Sequence, residues 1–166
     1  IKLFPVIKAL QKSHIRPIVV NTGQHRDLVD PVLQMAGLKE DYDLDVGKPG
    51  QTINTLTRDV VGGFEELLNT LRGGPERRSS PRLFAAAGST SPYPAATLVH
   101  GDTTTGLASA LAAAGAKIPV MHVEAGLRTG DMHSPFPEEL NRQLIARIAS
   151  FHFAPTTANA QNLIRE

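Results

Sequence analysis

Three carboxylates in this 166-residue chain stand where apolar runs give way to turns. VHGDTTTG sets Asp102 behind a glycine at the end of TLVHG, HVEAGLR sets Glu124 at the end of IPVMHV, and SPFPEELNR sets Glu138 directly after Pro137. A charge that finishes an apolar strand costs free energy unless it is paired. A carboxylate held in a partly dry cleft tends to a raised pKa, which a general acid or base needs. Each residue also has a plainer reading. Asp102 suits a helix N-cap, Glu124 suits an ion pair with Arg128, and Glu138 suits the positive end of a helix dipole.

His100-x-Asp102 and His122-x-Glu124 form a rival constellation, because residues two apart on a strand share a face. Four such ligands could hold zinc or manganese for a metal-dependent hydrolase. Against this, both histidines sit one step back inside apolar strands, where packed, hydrogen-bonded imidazoles are commoner than ligands. No HExxH accompanies them, and no metal ligand is assigned. GxxxxGK[ST], GxGxxG and GxSxG are absent as well, so P-loop, dinucleotide-fingerprint and hydrolase-elbow readings have no support.

The elements that must position these residues follow from periodicity. Helical spacing covers 1–12, and PIVVNTG (17–23) is a short β-branched strand. A helical pattern over 25–36 contains Pro31, which either bends the helix or restarts it with Asp30 as N-cap; Gly37 closes it. A second long helical pattern runs over 51–71, weakened by Gly62-Gly63. Residues 72–96, rich in Gly, Pro, Ser and Arg, read as a disordered insertion. Strand 97–101, helix 103–116, strand 118–123, helix 137–149, strand 151–154 and a helix from Thr156 then alternate. On the 137–149 helix the apolar stripe is Leu140, Leu144, Ile145 and Ile148, and Glu138 lies roughly 160° around from Leu140.

Such alternation predicts an α/β fold, a parallel sheet with helices on both faces. Ligands in these folds sit outside the carboxyl ends of the strands, where Asp102 and Glu124 lie. The length allows one domain with a real core. A net charge of +1 gives no reason to expect nucleic acid or a membrane surface as partner. No cysteine is present, which excludes disulfides and thiolate metal sites. No apolar run approaches the ~20 residues of a membrane helix.

HGDTTT, HVEAGLRTGD and SPFPEELNR, in that order and spacing, resemble the non-hydrolysing UDP-N-acetylglucosamine 2-epimerases. TGQHRDLVD (22–30), DYDLDVGKPGQT (41–52) and FHFAPTTANAQNLIRE (151–166) are similar to further segments of that family. The resemblance implies two Rossmann-like domains in the glycosyltransferase-B arrangement, with a UDP-sugar in the cleft between them. It implies interconversion of UDP-GlcNAc and UDP-ManNAc by elimination and re-addition of UDP, in the service of polysaccharide biosynthesis. It implies catalytic roles for Asp102, Glu124 and Glu138, and substrate contacts from Lys2, Asp102 and Glu124. No metal or nicotinamide cofactor is needed for that route, and the full-length family implies a cytoplasmic homodimer.

Departures from the family pattern carry expectations of their own. The chain opens IKLFPVIKAL, with no Met and no signal-peptide layout, and keeps only the closing Ile-Lys of the family's GTRPEAIK. The resemblance then implies a single incomplete Rossmann-like domain over 1–166, without the first strand and without the family's C-terminal domain. Epimerase activity of these 166 residues alone is expected to be negligible. A non-catalytic nucleotide-sugar-binding protein that kept the fold is the alternative. Gln24 and Gln51 match glutamines of an activating site in some bacterial members, but Asp27 and Lys48-Pro49-Gly50 depart, so regulation is not carried over.

Overall fold

In the computed structural model every strand pairing among the described residues is parallel, as the alternation predicts. Residues 2–24, 26–73 and 94–166 are described. Of the expected 72–96 insertion, positions 74–93 lie outside the described residues; Arg72 and Gly73 close a helix, and Pro94 to Ala96 lead into a strand. The chain divides into two compact units, one of residues 1–51 and 66–93, the other of 52–65 and 94–166.

The first unit holds helix α1 (Phe4–Gln11), strand β1 (Val20–Asn21), helix α2 (Arg26–Met35) and strand β2 (Tyr42–Asp43), with the end of helix α3 (Ile53–Gly73). β1 is shorter than the apolar run predicted, yet its hydrogen bonding extends further. The Asp41 and Tyr42 N–H groups donate to the Val19 carbonyl, Leu44 to Asn21 and Val46 to Thr22. β2 was not read in DYDLDV, although its polar and apolar residues alternate as in a half-buried strand, because aspartate is depleted in strands. Pro31 sits within an unbroken α2 rather than at a new helix start. Gly37, at φ +62°, ends α2: its N–H bonds the Gln34 carbonyl, and that of Leu38 bonds Leu33. This is the paired closure that a left-handed residue permits.

The second unit carries strand β3 (Thr97–His100), helix α4 (Thr104–Gly115), strand β4 (Val120–Val123), helix α5 (Glu138–Ile148), strand β5 (Phe151–Phe153) and helix α6 (Thr157–Arg165), with the first part of α3. The three strands lie in the order β3-β4-β5, with Val99 opposite His122 and His122 opposite His152. α4 is built from LASALAAAG, and its buried Ala108, Ala110 and Ala113 let it approach α5, β3 and β4 closely. Thr103, not Asp102, is the N-cap of α4; its hydroxyl accepts from the Gly106 N–H. That overturns the N-cap reading of Asp102 and frees its carboxylate for another partner. Among the described residues no helix is long and apolar enough to cross a membrane.

α5 departs from the expected apolar stripe. Ile145 is fully buried, but Leu144 is 40% exposed, and the other buried residues of this helix are Glu139, Asn141 and Arg142. A polar face is turned inward because it finds partners there. Gly126, at φ +89° after β4, is held against α6, where its carbonyl accepts from the Asn162 side-chain amide at 2.9 Å. A Cβ on Gly126 would stand inside contact distance of the Asn159 carbonyl oxygen and 2.7 Å from its carbon. Gly126→Ala is therefore expected to destabilise the fold by about 2–5 kcal/mol, from backbone strain plus overpacking. Urea unfolding checks this; an unchanged midpoint would contradict the close approach.

His122 occupies the inner face of β4 with no exposed surface, and its Nε2 lies 2.7 Å from the Gly101 carbonyl oxygen. Nε2 therefore carries the proton and donates. Burial pushes its pKa down, and the charges of His152, Arg128 and His100 add to the effect. His152 is lowered too, by burial and then by Arg128. The unfolded imidazoles bind protons near pH 6.5 while the folded ones resist until lower pH, so the unfolded state is favoured as pH falls below about 6.5. The urea midpoint at pH 5.5 should lie below that at pH 7.5; a flat or rising profile would mean His122 is charged in the fold.

Candidate active site at the ends of β3 and β4

Both leading carboxylates follow a break in strand geometry. Gly101 has φ +70°, which turns the chain off β3 so that Asp102 leaves the sheet instead of continuing its alternation. Glu124 has φ +65°, a left-handed conformation that a residue with a Cβ rarely adopts. Such strain persists only where the surroundings over-determine it, and it concentrates at functional positions. The Gly101 N–H bonds the Val123 carbonyl at 3.0 Å, so the two breaks sit side by side. A Cβ on Gly101 would lie 3.9 Å from Glu124 Oε2. The turn that carries Asp102 and the Glu124 carboxylate are thus neighbours.

The partners differ from those expected. Glu124 Oε2 stands 2.8 Å from His100 Nε2, and the two side chains are each about a third exposed. Arg128 is not its partner: the guanidinium donates from Nε at 2.6 Å and Nη2 at 2.8 Å to the two oxygens of Glu166. Those bonds hold Glu166 below the usual carboxylate range, and they tie the segment after β4 to the end of α6. Asp102 instead takes two bonds on Oδ2, from Arg142 Nε at 3.0 Å and Nη2 at 2.7 Å.

The third expected carboxylate opens α5. Glu138 is half-buried, with no hydrogen-bond or ion-pair partner among the described residues. Its neighbour Glu139 is the opposite. Glu139 has no exposed surface, and its two oxygens accept from Arg142, Gln143 and the Thr129 N–H. Burial works to raise its pKa, but those three hydrogen bonds overcome it and hold the carboxyl below its ordinary range. Of the two glutamates in PEE, only Glu138 keeps its oxygens free for chemistry. Lys2 belongs to the first unit and is exposed ahead of α1.

Glu139, Asn141 and Arg142 were missed in the sequence, although one signal was present. Glu139 and Arg142 stand at i,i+3, the spacing of a helical ion pair, on the same side as Ile145. The metal constellation does not assemble. His122 Nε2 is spent on the Gly101 carbonyl. Among the described residues no three His, Cys, Asp or Glu side chains are placed to share an ion. A cavity of about 440 Å³ between the starts of α3, α4 and α5 is lined by Thr104 and Asn141, but by none of the three carboxylates.

Known proteins carry the same pattern. The sequence model of the family described as UDP-N-acetylglucosamine 2-epimerase matches residues 86–166, the stretch that contains Asp102, Glu124 and Glu138. The UDP-N-acetylglucosamine 2-epimerase of Salmonella typhimurium is 42% identical over all of this chain and 39% of its own length. That of Escherichia coli K12 is 41% identical over the same shares. The crystal structure of UDP-GlcNAc 2-epimerase from Neisseria meningitidis bound to UDP-GlcNAc superposes with a TM-score of 0.82 at 39% identity. The overlap covers 99% of this chain and 40% of that one. The enzyme of Methanocaldococcus jannaschii in complex with UDP-GlcNAc and UDP gives 0.79 at 34% identity. This chain spans about 40% of the length of the curated relatives it matches. In sequence and in fold it is similar, over nearly its whole length, to UDP-N-acetylglucosamine 2-epimerases.

Proposed function

We propose that this chain supplies the acid–base carboxylates of an isomerase that interconverts UDP-GlcNAc and UDP-ManNAc. The observation that supports the reading is that the turn bearing Asp102 adjoins Glu124 at neighbouring parallel strand ends, a Cβ on Gly101 lying 3.9 Å from Glu124 Oε2. One carboxylate takes the C2 proton while the C1–O bond breaks. The C2–H electron pair becomes the C1=C2 bond of 2-acetamidoglucal, and the C1–O pair leaves on the UDP oxygen. In the return step a carboxylic acid delivers a proton to the opposite face of C2, and the UDP oxygen re-forms its bond to C1. Two faces must be served, so at least two groups are needed. Positive character at C1 favours carboxylates beside the ring, as in glycoside hydrolysis.

Asp102 and Glu124 flank the sugar in this reading, Glu138 donates or relays a proton, and Lys2 contacts the substrate. The enzyme works in the cytoplasm as a homodimer, with no nucleic-acid partner.

The test is a hybrid in which this chain replaces the matching segment of the Salmonella typhimurium relative. The hybrid is expected to convert UDP-GlcNAc in D₂O to product carrying one deuterium at C2. Glu124→Gln should lower kcat by about 10²–10⁴-fold, the usual weight of one acid–base group. Binding of UDP-GlcNAc by a folded hybrid without turnover would instead favour the non-catalytic binding protein. Turnover abolished by EDTA would favour the metal-dependent reading through His100, Asp102, His122 and Glu124.

A further inference from the structure

Three buried side chains from two elements converge on the short turn that carries Asp102. His122 donates to the Gly101 carbonyl at 2.7 Å, and Asn141, 2% exposed, donates from Nδ2 to the Asp102 carbonyl at 2.8 Å. Arg142, 7% exposed, places Nε and Nη2 on the single oxygen Oδ2. Its Nη1 goes to Glu139 Oε2 at 2.9 Å, and Glu139 is anchored in turn by Gln143 and the Thr129 N–H. Asp102 Oδ1 accepts no bond among the described residues, and the side chain stays 30% exposed.

A buried network of this kind is a poor way to gain stability, since well-packed apolar residues of similar volume often serve as well or better. Its geometric effect is specific. The backbone carbonyls on either side of the Asp102 Cα, those of Gly101 and of Asp102 itself, are pinned, and the carboxylate is held by one oxygen in a fixed rotamer. We propose that Arg142 is a positioning residue that leaves Asp102 one working oxygen, Oδ1, with Asn141 and His122 fixing the turn and Glu139 holding the guanidinium. This rests on the acid–base reading of Asp102 given above. Arg142 touches no reacting atom; it acts through the aim of Oδ1, and a misplacement of about 1 Å at a reacting group can cost on the order of 10²-fold in rate.

Two measurements separate this from the functional reading itself. In the 166-residue chain, ¹H–¹⁵N spectra should show the Arg142 Nε–H protected from solvent exchange, with that protection lost in Asp102→Asn. An unprotected Nε–H would overturn the grip whatever the chain catalyses. In the hybrid enzyme, Arg142→Lys keeps the charge but loses the fork. It is expected to lower kcat by about 10- to 100-fold with KM changed less than about threefold. Should Arg142→Lys fail to fold, Asn141→Leu leaves the ion pair intact and should lower kcat in the same direction. A folded variant of either kind with full kcat would overturn the positioning role. An inactive unsubstituted hybrid would instead count against the epimerase reading alone.

Discussion

The guanidinium of Arg142 holds the second unit's polar interior together. It is nearly without solvent, between the Asp102 carboxylate at the end of β3 and the Glu139 carboxylate one turn earlier on its own helix. Desolvation works against its charge, and the bonds it donates to Glu139 and Asp102 more than offset this, so its pKa is raised. Removing one member of a buried set like this leaves an uncompensated charge, at a cost of about 3–5 kcal/mol. α5 therefore cannot rotate or slide freely on β3. Everything carried at the start of α5, Glu138 included, is placed by that constraint.

The same logic explains why a helix with an apolar sequence stripe buries a polar face. Leu144 remains 40% exposed while Glu139 and Asn141 are enclosed. Burial of a polar group is tolerated where each donor finds an acceptor. Here the Gly101–Asp102 turn supplies carbonyls and a carboxylate, and the segment after β4 supplies the Thr129 N–H. The small residues of α4 complete the arrangement by letting α5 come close. Stability and the placement of Asp102 are thus joined in one set of contacts.

Arg128 plays a separate part. Its fork on Glu166 ties the chain leaving β4 to the end of α6, while Gly126 packs against the same helix. That leaves Glu124 to face His100 across the β3–β4 pair, with both residues partly open to solvent. Asp102 and Glu124, alike in sequence context, end up in different company: one is gripped through a single oxygen by a buried cation, the other meets a half-exposed imidazole. Groups of one chemical type set in such unlike surroundings can divide acid and base work between them.

Alternating apolar runs and helical periods were enough to predict parallel strands, the α5 and α6 starts, and acidic residues at strand ends. Those features depend on neighbours a few positions apart, so they can be read from residue order. β2 escaped because aspartate is a poor strand former although the residues alternate, and the cap of α4 fell one residue later than Asp102 because Thr103 offered a hydroxyl at the same turn. The ion-pair partners were not legible. Arg128 lies four residues from Glu124 yet reaches Glu166, and Asp102 meets an arginine 40 positions away. Residue types and local spacing specified by themselves which groups could do chemistry. Only packing decided which of them are held, which are free and how each is aimed, because a charge buried in the fold takes the partner that three-dimensional proximity brings to it.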